Sequence, residues 1–100
     1  TELPEPRCQG ALLSVKKEDK NILLFANPAD SIARVNMTLS ISDDDGLNWS
    51  KKIPIYKSHA AYSDLTELKN GNILVLFEAG ENNAYEGIHY KIISKENIYN

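Results

Sequence analysis

The sequence predicts an all-β protein built from antiparallel strands, and three observations carry that prediction. Runs rich in Val, Ile, Leu, Thr and Phe are broken by turn-forming residues roughly every eight to twelve positions. An Asn70-Gly71 pair sits between two such runs, where the two residues favour a tight hairpin. A stretch of the chain also repeats itself at an offset of about 50 residues.

The candidate strands, in order, are Ala11 to Val15, Asn21 to Ala26, Val35 to Ser42, Lys52 to Tyr56, Ser63 to Leu68, Asn72 to Glu78 and Gly87 to Ser94. The first two are joined by the polar loop Lys17 to Lys20. The fifth and sixth are joined through Asn70-Gly71, for which a type I′ turn with both central residues at positive φ is expected. In the repeat, Asn21-Ile22-Leu23-Leu24-Phe25 resembles Asn72-Ile73-Leu74-Val75-Leu76-Phe77. Each run is followed by a loop and a further strand. The spacing suits propeller blades, small antiparallel sheets that cover their faces by packing on neighbours around a channel. A compact seven-stranded sandwich would use the same strands equally well.

Composition narrows the classes. The chain has 100 residues, of which 42% are hydrophobic and 25% charged, a globular balance rather than a disordered one. The formal charge is −3 with acids and bases interspersed, and no basic tract suggests a nucleic-acid partner. No apolar run approaches the roughly 18 residues that cross a bilayer. The opening residues, Thr1 to Pro6, lack the charged-then-apolar pattern of a signal peptide. Cys8 is the single cysteine, so no internal disulfide forms, and with no histidine nearby it reads as a structural thiol.

One motif stands out. Ser42-Asp43-Asp44-Asp45-Gly46-Leu47-Asn48-Trp49 fits the Asp-box pattern Ser-x-Asp-x-Gly-x-Thr/Asn-Trp. Asp44 is placed to fold its carboxylate onto backbone N–H groups, Gly46 to take positive φ, and Trp49 to cover the turn with apolar surface. A calcium loop of the EF-hand type fails, because its first and last ligand positions fall on Ile41 and Lys52. No metal or cofactor is expected.

The order of motifs resembles the C-terminal half of the sialidase catalytic domain. Pro6-Arg7-Cys8-Gln9-Gly10-Ala11-Leu12, Asn27-Pro28, Arg34, Met37-Thr38-Leu39, the Asp box, Ala61-Tyr62-Ser63-Asp64-Leu65 and Leu76-Phe77-Glu78 follow the family's sequence of features across almost the whole chain. The resemblance implies that residues 1–100 form about two of the last blades of a six-bladed β-propeller, incomplete alone. It implies a retaining exo-sialidase with Tyr62 as nucleophile, Arg34 binding the sialic acid carboxylate, and Glu78 holding another arginine in place. The chemistry is coherent. A carboxylate nucleophile would be repelled by the substrate's own carboxylate, and a neutral phenol would not. Guanidinium pairs with a carboxylate through two hydrogen bonds. Glu78 ends an apolar strand, so its charge calls for a cation.

By the same resemblance, the Glu that activates Tyr62, the Asp acid/base and two further arginines lie outside this chain. The N-terminal part of the same sialidase is then an expected partner, as a separate chain, and a sialylated glycan the expected substrate. A secreted or cell-surface location follows from family analogy alone. A trans-sialidase, or a non-catalytic Asp-box propeller that binds glycans or protein, remains open. His59 reads as a loop or rim residue and His89 as structural. Tyr85, Asn82 and Asn83 are placed to border the pocket. The sequons at Asn36 and Asn48 read as chance.

Overall fold

The computed structural model describes residues 10–17, 19–28, 35–49, 51–81 and 86–99. The described residues are all-β apart from one short helix. Its strands are β1 (Ala11–Lys17), β2 (Lys20–Pro28), β3 (Val35–Ser42), β4 (Lys51–Glu67), β5 (Ile73–Gly80) and β6 (Gly87–Ile93), followed by α1 (Lys95–Tyr99). They form one six-stranded sheet in chain order, with every neighbouring pair antiparallel.

The expected strands Lys52 to Tyr56 and Ser63 to Leu68 are one strand, the 17-residue β4. Its first part pairs with β3 and its last part with β5, and His59 is in register with both Val35 and Gly80. Irregularities in both of its ladders bend it. Register shifts interrupt its ladders between Val35 and Thr38 on the β3 side and between Ala60 and Ser63 on the β5 side.

The bend divides the sheet into two meanders. β1, β2, β3 and the start of β4 make a four-stranded unit, and the rest of β4 with β5 and β6 makes a three-stranded one. The internal repeat has a structural meaning here, since β2 and β5 are both the second strand of their units and β3 and β6 both the third. Their buried positions match: Ile22, Leu24 and Ala26 on β2, and Ile73, Val75 and Phe77 on β5. These alternating residues merge with Met37, Leu39, Ile41, Ile55, Leu65 and Ile93 into one core.

The turns differ in one detail from expectation. Gly71 has φ 89° but Asn70 is not at positive φ, so the hairpin is not type I′. Gly71 N–H donates to the Leu68 carbonyl at 2.9 Å and Leu68 N–H to Asn72 O at 2.8 Å. This is a type I turn followed by a left-handed glycine, an arrangement for a longer loop in which only one residue needs the glycine conformation. Helix α1 was not expected from the sequence. Its start is capped by Ser94, whose hydroxyl accepts the Glu96 N–H at 3.3 Å, and Ile98 anchors it in the core at 4% exposure.

Candidate functional site

The site is built around the irregularity in β4. On one side of it Ala60 is in register with Ala79, and on the other Ser63 with Phe77. Between these pairs β4 holds two residues, Ala61 and Tyr62, while β5 holds only Glu78. This two-against-one count defines a β-bulge, a device that bends a strand and re-aims its side chains. Its consequence is visible in burial. Ala60 and Ala61 are both fully buried, which breaks the alternation of the strand, and Tyr62 is 47% exposed. The sequence signal for this was the pair of small residues before Tyr62: two consecutive inward positions leave room for little more than methyl groups.

Tyr62 and Glu78, both named by the family resemblance, thus fall between the same two registered pairs of the β4–β5 ladder. Glu78 is half-buried, and its Oε1 is shielded from solvent with no hydrogen-bond partner among the described residues. A buried carboxylate oxygen left in this state is costly, and a cation or strong donor is the usual remedy. On its other side Glu78 is in register with Ile88 of β6.

Ser63 anchors the bulge. Its hydroxyl donates to the Ala26 carbonyl on β2 at 3.1 Å, tying the three-stranded unit to the four-stranded one. His59, three residues before Tyr62, is half-buried at the point where β4 passes from β3 to β5. His89 stacks on Phe77 with ring centroids 5.8 Å apart and lies 5.3 Å from Tyr56, packing contacts that give it a structural place. Arg34, Cys8, Asn82, Asn83 and Tyr85 lie outside the described residues.

The Ser42–Trp49 turn folds as its residues suggest. Asp44 Oδ1 accepts the Asn48 N–H at 2.8 Å and the Ser42 hydroxyl at 2.7 Å, and Asp44 Oδ2 accepts the Asn48 side-chain amide at 2.8 Å. Ser42 Oγ accepts the Gly46 N–H at 2.9 Å. The Asn48 hydrogen bonds and the Ser42 hydroxyl favour the charged carboxylate and hold the Asp44 pKa below its ordinary 3.8. Gly46 takes φ 86°, and Asp45 also takes positive φ at 60°. The Trp49 ring approaches Phe25 at 6.2 Å. The hydrogen bonds close the turn on itself and the Trp49 ring ties it to β2, contacts that fit a structural role. Among the described residues, no three His, Cys, Asp or Glu side chains cluster as a metal site would.

A cavity of about 320 Å³ is lined by Asn36, Met37, Thr38, Pro54, Tyr56 and Lys57. It does not include Tyr62 or Glu78.

Bent antiparallel meanders that repeat every 50 residues or so and share one core are the architecture of β-propeller blades. Comparison with known proteins narrows the class. No protein-family model matches the chain. A sialidase of Bacteroides fragilis is 34% identical over 84 residues, which is 77% of this chain and 15% of the relative. The solved structure of the Hadza microbial sialidase Hz136 superimposes with a TM-score of 0.84 at 27% identity, covering 98% of this chain and 19% of that one. NanB sialidase from Streptococcus pneumoniae matches with a TM-score of 0.71 at 23% identity, a likeness of fold over 91% of this chain and 16% of that one. The chain belongs to the sialidase family. It spans less than a fifth of each of these three proteins.

Proposed function

We propose that this chain is part of a retaining exo-sialidase and supplies its nucleophile, Tyr62. The observation that carries the reading is the bulge: it leaves Tyr62 accessible and sets it between the same registered pairs as Glu78, whose buried oxygen awaits a positive partner. The family's Ala-Tyr-Ser-x-Leu and Phe-Glu motifs fall on these two residues.

The reaction proceeds in two steps. The phenol oxygen of Tyr62, relieved of its proton by a carboxylate from another part of the protein, bonds to the anomeric carbon of a terminal sialic acid. The glycosidic C–O bond breaks, and the leaving sugar oxygen takes a proton from an acid. Water then bonds to the same carbon, its proton passing to a base, and the bond to Tyr62 breaks to release sialic acid. A free phenol ionises near pH 10, so its activation by a base is required. Arg34 grips the sialic acid carboxylate with its planar fork. Glu78 touches neither substrate nor reacting atoms and acts as a positioning residue for another arginine, the first of the family's three.

The base, the acid and the other arginines would come from the rest of the sialidase, as the expected N-terminal partner. A secreted or surface setting suits an enzyme acting on glycoconjugates; no helix among the described residues is long and apolar enough to cross a membrane. The test is Tyr62→Phe in the complete enzyme. Turnover of a sialoside should collapse while sialic acid still binds, and full retained activity would exclude Tyr62 as nucleophile.

A further inference from the structure

The bulge at Ala61 and Tyr62 also decides which neighbours share the Tyr62 side of β4. Residues three apart on a regular strand project to opposite faces. Here Ala60 pairs with the buried Ala79 and Ser63 with the buried Phe77, so His59 and Tyr62 both project away from the core. His59 thus lies roughly 7–10 Å along the strand from Tyr62 and on its side. Two residues further back, the exposed Lys57 lines the cavity of about 320 Å³ with Asn36, Met37, Thr38, Pro54 and Tyr56. That volume is at the lower end for small-ligand sites. Among the described residues, neither the Lys57 ammonium nor the His59 ring has an ion-pair, hydrogen-bond or ring partner. The nearby acids do not neutralise Lys57. Asp64 lies beyond Tyr62, and its Oδ1 accepts the Leu65 N–H at 2.9 Å. Glu81 accepts the Ser58 hydroxyl through its main-chain carbonyl at 3.3 Å and makes no ion pair among the described residues.

We propose that Lys57, with His59 beside it, selects sialosides whose next sugar carries a negative charge of its own, and that the cavity at Lys57 receives that sugar. The inference rests on the reading of Tyr62 as the nucleophile and deepens it by naming a substrate class. In that reaction arginines already grip the carboxylate of the sialic acid. A further unpaired ammonium on the same strand is therefore matched by a second anion. An ammonium is a point charge on a flexible stem, which suits a sulfate or carboxylate whose position on the glycan varies. The charge pattern along β4 sets the direction. Lys57 and His59 precede Tyr62, while Asp64 follows it on the same side, since Ser63 and Leu65 pair with the core residues Phe77 and Val75. An anionic glycan is drawn to the first side and repelled from the second. The whole chain carries a formal charge of −3, so the attraction at Lys57 is local.

The experiment uses the full-length sialidase carrying this segment and three substrates: a sialyl-galactoside, the same compound sulfated on its galactose, and an aryl sialoside with no second sugar. At low ionic strength kcat/KM for the sulfated compound should exceed that for the unsulfated one by at least about threefold. The ratio should fall toward one in about 1 M salt, where the screening length is about 3 Å. Lys57→Gln should bring the ratio to about one, Lys57→Arg should keep it, and His59→Ala should lower it in part. Lys69→Gln, at an exposed lysine of the β4–β5 turn, should leave it unchanged. Circular dichroism establishes that each variant folds, and should Lys57→Gln fail to fold, Lys57→Met gives the same answer.

A parent ratio near one overturns the proposal, and so does a ratio that Lys57→Gln leaves unchanged. An equal loss on all three substrates, the aryl sialoside included, also overturns it, because that result puts Lys57 on the sialic acid itself. If the folded parent cleaves none of the three, calorimetry with the sulfated and unsulfated sialyl-galactosides reads the preference as binding. A preference abolished by Lys57→Gln then upholds the charged subsite and removes the enzymatic reading, and equal binding of the two compounds overturns the proposal.

Discussion

Tyr62 and Glu78 lie between the same two registered pairs of the β4–β5 ladder, Ala60–Ala79 and Ser63–Phe77, where β4 carries one residue more than β5. A regular ladder would have given Tyr62 the alternate inward or outward slot set by its neighbours. The extra residue shifts that alternation, and the Tyr62 ring is 47% exposed while Glu78 keeps a buried carboxylate oxygen without a hydrogen-bond partner among the described residues.

On the proposed mechanism, replacing Tyr62 with Phe should lower kcat by at least about a hundredfold with little change in the affinity for sialic acid, since only the phenol oxygen is lost. Steady-state kinetics with a fluorogenic sialoside, alongside inhibitor binding by calorimetry, separates the two effects.

On the proposal that Arg34 binds the substrate carboxylate, Arg34→Lys replaces a planar donor fork with a point charge. KM should rise by about tenfold or more, corresponding to roughly 1.4 kcal/mol of lost recognition. Unchanged kcat and KM would remove Arg34 from the substrate carboxylate.

Ser63→Ala deletes the hydrogen bond to the Ala26 carbonyl that joins the two meanders beside Tyr62. A cost of about 1 kcal/mol in unfolding free energy is expected. Because the bulge then loses its anchor, kcat should fall as well, and Ser63→Thr, which keeps the hydroxyl, should restore it. A stability loss with kcat intact would mean that the bond does not position Tyr62.

Asp44 gives a pH dependence with a definite sign. Its folded pKa lies below the ordinary 3.8, so its contribution to stability is complete above that value and is lost as pH falls through the lower, folded one. Thermal melts from neutral pH downward should show Asp44→Asn less stable than the parent near neutrality, with the gap closing in strong acid. An NMR titration of the Asp44 carboxyl at or above the ordinary value would contradict the hydrogen-bonded turn.

Leu24 is fully buried in the shared core, and Leu24→Ala should cost about 2–5 kcal/mol through lost burial and a residual cavity. Urea unfolding measures it, and a value under about 1 kcal/mol would indicate a core able to collapse around the gap.

By itself the sequence determined the strands, their alternation, the repeat that makes β2 and β5 counterparts, and the Ser42–Trp49 turn. These depend on short-range chemistry: the period of apolar residues, the left-handed freedom of Gly46, and the reach of Asp44 to Asn48 four positions away. It also named Tyr62 and Glu78 through family resemblance. Only the tertiary structure decided that two expected strands are one, and that a bulge turns Tyr62 outward between the same registered pairs as Glu78. The physical reason is that register is a property of pairs. No pattern within β4 or β5 states which residue of one hydrogen-bonds with which residue of the other. The extra residue at Ala61–Tyr62 exists only in the comparison of the two strands once they lie side by side.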